Sequence, residues 1–290
     1  MKSQKSTEHE SYSCLYLVGT PIGNLEDMTM RAIRILKEVD IIAAEDTRNT
    51  KKLCNYFEIS TPLISYHEHN QETGGEKILE LLKSGKRVAL VSDAGLPCIS
   101  DPGADIAAKA VAEGFAVIPI PGANAATSAL IASGLQTQPF YFYGFLSRNK
   151  KERKNEILEL QKRQETILLY EAPHRLKDTL KDMLTIIEGS RQIVLAREVT
   201  KKFEEFLRGT LEEAVEWVES AEIRGEFCIV LEGNKNPVAE EEAWWISLSL
   251  EEHVEQLIKE KGLSSKEAVK EVANERGLSK REVYQAYHIT

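Results

Sequence analysis

Apolar, β-branched runs alternate with amphipathic stretches along most of the chain: CLYLVG, MRAIRILKEV and DIIAAE first, then RVALVS, ADIAAKAVAEG and FAVIPI. Short apolar runs read as buried strands, and apolar residues three and four apart read as helices. The alternation therefore predicts a parallel sheet covered by helices. After SGLQTQPF it resumes with YFYGFL, NEILELQKR, TILLYEA, HRLKDTLKDML, QIVLARE and GEFCIVLEG. Gly134 and Pro139 favour a turn between the two series. The pattern predicts an α/β protein of two α/β domains, 14–135 and 136–235, preceded by a flexible stretch at 1–13. Loop formers and an acidic run in GNKNPVAEEEAWW place a linker at 236–245.

From 246 to 290 only the helical period remains. Ser249 with Glu252, Ser264 with Glu267 and Ser279 with Glu282 each have the spacing of a capping box, in which serine and glutamate satisfy each other's free backbone N–H groups. Apolar sets follow each start at helical spacing, for example Val254, Leu257 and Ile258. Three short helices predict a helix-turn-helix-like appendage, for which a packing bundle and nucleic-acid contact both stay open.

With 290 residues, 42% of them hydrophobic, the chain can bury more than one core. It has no run of about 18 apolar residues, and its first residues lack the apolar centre of a secretory signal, so a cytoplasmic protein without membrane contact is expected. Cys14, Cys54, Cys98 and Cys228 lie too far apart for a disulfide framework or a thiolate zinc site. The net charge of −9 excludes a uniformly basic coat for nucleic acid but leaves room for a local basic patch.

Three loops rich in glycine and proline follow predicted strands: GTPIGN, SDAGLPCISDPG and PGANAATSAL. On an open α/β sheet they emerge at the carboxyl ends, where ligands bind. None matches a phosphate loop, and Glu26, Asp27, Asp93 and Asp101 would repel a polyanion. S-adenosylmethionine, with a positive sulfonium and no phosphate, fits them better. The loops offer Thr20, Pro21, Ile22, Gly23 and Asn24; Asp93, Ala94, Gly95, Leu96, Pro97 and Ile99; and Gly122, Ala123, Asn124 and Ala125.

Those loops, with AAEDTRNTKKL, SYHEHN, FYFYGFLSR, YEAPHRL, AREVTKKFEEFLRG and GEFCIVLEG in this order, resemble the ribosomal small subunit methyltransferase I family of the tetrapyrrole methylase superfamily. The resemblance covers about 14–233 and extends to the terminal helices. It implies a two-domain, dimeric methyltransferase with S-adenosylmethionine between its domains, and as product a 2′-O-methylated cytidine in the decoding region of 16S rRNA in the small ribosomal subunit. Across the cleft it implies Glu171, Ala196, Glu226 and Phe227 as cofactor residues. Leu96 stands where many relatives carry threonine, so a hydroxyl contact there is absent.

A ribose hydroxyl attacks well only once its proton leaves, so a base is sought near strand ends. Glu45 and Asp46 in AAEDTRNT and His67 in SYHEHN are the candidates, with Arg175 beside the reacting centre; Asp46, His67 and Arg175 are expected to govern turnover. HEH raises zinc, with His67 and His69 on one side of a strand, but no third ligand has a defined spacing, and no metal is expected. Arg48 and Lys51, and Lys150, Lys151, Arg153 and Lys154 in the basic run after the domain joint, are candidates for the RNA backbone. Two other readings stay open: a tetrapyrrole methyltransferase of the same fold, and a small-molecule-sensing DNA-binding regulator, for which the mixed charge of the last helices gives a weak footprint.

Overall fold

A computed structural model describes residues 1, 3–5, 12–101, 103–235, 245 and 248–288. Residues 1–234 form one compact unit and 235–290 a second. Apart from Trp245, the expected linker lies outside the described residues.

The first sheet holds β1 (Cys14–Val18), β2 (Ile41–Ala44), β3 (Leu63–Ser65), β4 (Val88–Val91) and β5 (Ala116–Ile120) in the order β3-β2-β4-β1-β5. Every pairing is parallel, as the alternation predicts. The crossovers carry α1 (Met30–Glu38), α2 (Thr47–Tyr56), α3 (Gln71–Lys83) and α4 (Gly103–Ala112). Successive residues of β1 face opposite sides: Cys14, Tyr16 and Val18 join one apolar cluster, while Leu15 joins the other. Near the N-terminus, Gln4 exchanges two 3.0 Å hydrogen bonds with the backbone of Val117.

The helix α5 (Ala125–Ser133) leads out of the first sheet and buries Ala126, Ala129 and Leu130 against Leu168, Val194, Ala196, Cys228 and Val230. One helix thus seals both halves of the unit. The second sheet contains β6 (Phe140–Phe145), β7 (Thr166–Glu171), β8 (Gln192–Arg197), β9 (Glu205–Thr210) and β10 (Phe227–Leu231), with α6 (Lys150–Leu160), α7 (Pro173–Leu184) and α8 (Leu211–Ser220) between them. Its order is β6-β7-β10-β8-β9. Here the expectation of a second parallel sheet fails, because only β6 and β7 run parallel while β10 is antiparallel to both neighbours and β9 to β8. The consequence is positional: β10 begins at the edge where β7 and β8 end, with Phe227 opposite both Glu171 and Arg197.

The second unit contains α9 (Leu250–Lys261), α10 (Ser265–Arg276) and α11 (Lys280–His288). All three capping boxes form: Ser249 with Glu252, Ser264 with Glu267, and Ser279 with Glu282. Gly262 and Gly277, at φ 65°, end α9 and α10 in the left-handed conformation that glycine adopts without cost. His253 is fully buried, accepts a 3.1 Å hydrogen bond from Arg276 at Nδ1 and stacks on Trp245.

Candidate active site

A cavity of about 450 Å³ opens between the carboxyl edge of the first sheet and the matching edge of the second. The first wall is built from the three predicted loops. Ile22 follows β1; Asp93, Ala94, Gly95, Leu96 and Ile99 follow β4; Asn124 and Ala125 follow β5. The opposite wall carries Glu171, Ala196, Glu226 and Phe227. Antiparallel β10 delivers the last two to this edge.

Other loop residues lie behind the wall and shape it. Thr20 forms a two-way backbone bridge to Gly95, at 2.9 and 3.1 Å, so the loops after β1 and β4 are tied together. Asn24 caps a short 3₁₀ turn at Leu25–Asp27. A side-chain carbon on Gly23 would run into Lys201, and one on Gly122 would come within 2.9 Å of the Gly19 backbone. Pro21, Pro97 and Ala123 are likewise absent from the lining.

Six carboxylates line the cavity: Glu45, Asp93, Asp101, Glu171, Glu198 and Glu226. Lys201 is the one lysine or arginine among its described lining residues, and Glu198 and Glu226 hold it at 3.0 and 2.9 Å. Glu171, 2% exposed, accepts from Thr179 at 2.6 Å and from the Ala172 backbone at 2.9 Å. Its carboxylate therefore orders the end of β7. Asp101 is different. Its Oδ1 accepts from the Cys98 and Gly103 backbones at 2.9 and 2.7 Å, while Oδ2 is buried with no hydrogen-bond partner among the described residues. Burial pushes its carboxyl above the ordinary aspartate range. Such an oxygen needs a donor, and Asp101 is one of the residues that line the cavity.

Burial also raises the Glu45 carboxyl, with the Asp93, Asp101 and Asp46 charges adding to it. Its Oε2 accepts from the Asp93 backbone at 3.2 Å. Sequence had pointed to both acids of AAEDTRNT, and the structure separates them. Asp46 is not part of the lining. It caps α2, and Arg48 grips both its oxygens at 3.1 and 2.8 Å, which holds its carboxyl down at about 2. The Arg48 guanidinium is thereby engaged; Lys51 on α2 is exposed.

His67 is also outside the cavity. β3 ends at Ser65, and His67 and His69 enter a 3₁₀ turn in place of a strand, their ring centres 6.0 Å apart. His67 Nδ1 is buried without a hydrogen-bond partner among the described residues. Among those residues no group of three or more His, Cys, Asp or Glu could hold a metal ion. Arg175 lies against the back of the second wall, where its Nη2 donates to the carbonyls of Leu146 and Ser147 at 2.7 and 3.3 Å, and Nε stands 3.2 Å from Glu171.

In the basic run, Arg153 is buried and donates twice to Asp182 Oδ2 at 2.9 and 2.6 Å, with Lys154 3.6 Å from the other oxygen. Arg153 is therefore a core ion pair on α6, not an RNA contact. Lys150 and Lys151 are exposed.

Two five-stranded sheets thus share a loop-lined, acidic cavity at one edge. The model of the Tetrapyrrole (Corrin/Porphyrin) Methylases matches residues 14–215. The chain is 63% identical over 276 residues to the ribosomal RNA small subunit methyltransferase I of Bacillus subtilis (strain 168), covering 95% of this chain and 94% of the relative. It is 58% identical to the protein of the same name from Halalkalibacterium halodurans, covering 99% of each. Among solved structures, the uroporphyrin-III C-methyltransferase of Thermus thermophilus, complexed with S-adenyl homocysteine, shares the fold: TM-score 0.53, 18% identity, 76% of this chain and 97% of that one. The chain belongs to the tetrapyrrole methylase family and, within it, to the ribosomal RNA small subunit methyltransferase I family. No helix among the described residues is long and apolar enough to cross a membrane.

Proposed function

We propose that the chain transfers a methyl group from S-adenosylmethionine to small-subunit rRNA, and that the acceptor is the ribose 2′ oxygen of a cytidine in the decoding region of 16S rRNA. The observation that carries the reading is the acidic, loop-lined cavity with the unpartnered Oδ2 of Asp101 in its wall. Six carboxylates against one ammonium suit a cationic ligand and oppose a phosphorylated one. Asp101 Oδ2 would accept from a hydroxyl or amine of the ligand, and the ordered backbone of Ile22, Leu96, Ile99 and Ala125 would frame it. The names of the close relatives and the S-adenyl homocysteine held by the structural relative support the same choice.

S-adenosylmethionine supplies a methyl group activated by its sulfonium. The chain's part is to align the acceptor oxygen, exclude water and take the acceptor's proton. Positioning supplies much of the acceleration. For the proton we assign Glu45: it faces the cavity, and its raised carboxyl is a stronger base than that of Asp46, which Arg48 holds in its ionised form. Arg175 acts through the loop whose carbonyls it holds, and His67 through the end of β3. Lys51, Lys150 and Lys151 are available to the RNA backbone. The reading includes a homodimer, which light scattering checks.

The test is methyl transfer from labelled S-adenosylmethionine to small subunits, free rRNA and a porphyrinogen, with the acceptor atom read from resistance of the labelled position to alkaline cleavage. Transfer to the porphyrinogen alone would replace this reading with the tetrapyrrole one. Asp101→Asn preserves the Oδ1 contacts and turns Oδ2 into a donor. Its affinity for S-adenosylmethionine should fall about ten- to a hundredfold by calorimetry, as expected for loss of a charged hydrogen bond of about 1.5–3 kcal/mol. Unchanged affinity would remove Asp101 from the ligand site.

A further inference from the structure

A second depression, of about 410 Å³, is lined by Arg148, Arg153, His174, Arg175 and Asp178. Along the chain its residues adjoin those of the second wall of the cavity. Phe145, Glu171 and Ala172 line the cavity; three residues past Phe145 comes Arg148, and two past Ala172 comes His174. The groove and the cavity share one partition, the turn after β6 and the end of β7, which Arg175 holds together through Leu146, Ser147 and Glu171.

Its cations are not equivalent. Arg153 is neutralised by Asp182, and Arg175 is committed to the partition. The side chains of Arg148 and His174 are exposed and make no hydrogen bond or ion pair with any described residue. A guanidinium without a protein partner, in a concave surface that it lines together with an imidazole and with Asp178 as the only acid among the described lining residues, can receive a tetrahedral oxyanion, to which guanidinium donates in forked geometry. Exposed Lys150 and Lys151 follow Arg148 in the first turn of α6, beside Glu152. The cavity itself is acidic and repels the same anion. A ligand that places a sugar in the cavity and a phosphate in the groove meets both fields favourably. A nucleotide within an RNA strand has this form.

We infer that Arg148 and His174 form a subsite for a backbone phosphate next to the nucleotide being methylated. The inference rests on the rRNA reading above and names where the strand is held. The arginine contacts the phosphate as a permanent cation and the imidazole as a hydrogen-bond donor, so the subsite anchors any sequence and leaves base recognition to other surfaces.

The experiment measures binding of an RNA fragment carrying the decoding-region sequence to the intact protein at several salt concentrations. Wild type, Arg148→Gln, His174→Gln, the double variant and Lys77→Gln, an exposed cation on α3, are compared, with S-adenosylmethionine affinity alongside. Each phosphate contact contributes roughly 0.7–0.9 to the slope of log affinity against log salt. Arg148→Gln should therefore flatten the slope by about that amount, and the double variant should bind about tenfold or more weakly at low salt. S-adenosylmethionine affinity should not move, and Lys77→Gln should match wild type. A wild-type slope in the double variant overturns the subsite while the methylation assay leaves the rRNA reading standing. Competition by low millimolar inorganic phosphate that abolishes the difference between the proteins would assign the groove to a free anion and overturn the strand. Wild-type protein that neither binds nor methylates RNA removes both proposals.

Discussion

Adjacent acids in one short segment, Glu45 and Asp46, have opposite environments. Glu45 lines the cavity and is raised by burial and by neighbouring carboxylates; Asp46 caps α2 outside the lining and is held down by Arg48. If Glu45 takes the acceptor's proton, only its ionised form works. A raised carboxyl stays protonated to a higher pH, so the rate should climb as pH rises through the raised value and then level. Glu45→Gln should lower turnover about 10²–10⁴-fold and abolish the acid limb, leaving S-adenosylmethionine affinity nearly intact. A Glu45→Gln profile with the wild-type limb and rate would assign catalysis to positioning alone. The pair also shows what sequence carries. That an acid ends β2 is legible from the strand pattern, whereas which of two neighbours faces inward depends on Arg48 and on the loop after β4.

The two loops after β1 and β5 touch backbone to backbone, and glycine at both contacts permits it. Gly122→Ala places a carbon 2.9 Å from the Gly19 Cα, and neither strand end can withdraw without opening the cavity wall. Overpacking of this kind costs about 1–3 kcal/mol. The variant should melt several degrees lower by circular dichroism and bind S-adenosylmethionine more weakly by calorimetry. Equal melting and equal binding would mean that the loops yield freely. Gly95, at φ 82°, is required for a different reason, since space exists for a side chain but the backbone conformation disfavours one. These loops were readable in advance because glycine and proline act locally. The capping boxes of the terminal helices were readable for the same reason, each formed within four residues. Arg153 was not, because its partner Asp182 lies 29 residues away and only packing of α6 on α7 reveals it. Nor was the direction of β10, since the alternation of strands and helices points to parallel pairing and β10 runs antiparallel to both its neighbours. β9 was missed outright: EFLRGT has no buried residue to mark it as a strand.

At the scale of the whole molecule, β10 stands between two pairs, β6–β7 and β8–β9, that have no other connection within their sheet. Ribosomal synthesis delivers it last of the ten strands among the described residues. The first sheet is complete once Ile120 is made, yet most of the apolar face of α5 stays uncovered until the second sheet closes. A nascent chain is therefore expected to wait, half folded, with Ala126, Ala129 and Leu130 uncovered, for a strand about a hundred residues downstream. Chains halted before Phe227 should show a protease-resistant first sheet and a cleavable remainder, and extension through Leu231 should protect the whole unit at once. Gradual protection, strand by strand, would show that the halves close independently. Because β10 also brings Glu226 and Phe227 to the cavity, the ligand site is completed by the same event. If the protection experiment shows that single step, birth order would act as a checkpoint, since a chain halted before β10 lacks Glu226 and Phe227 in its cavity wall.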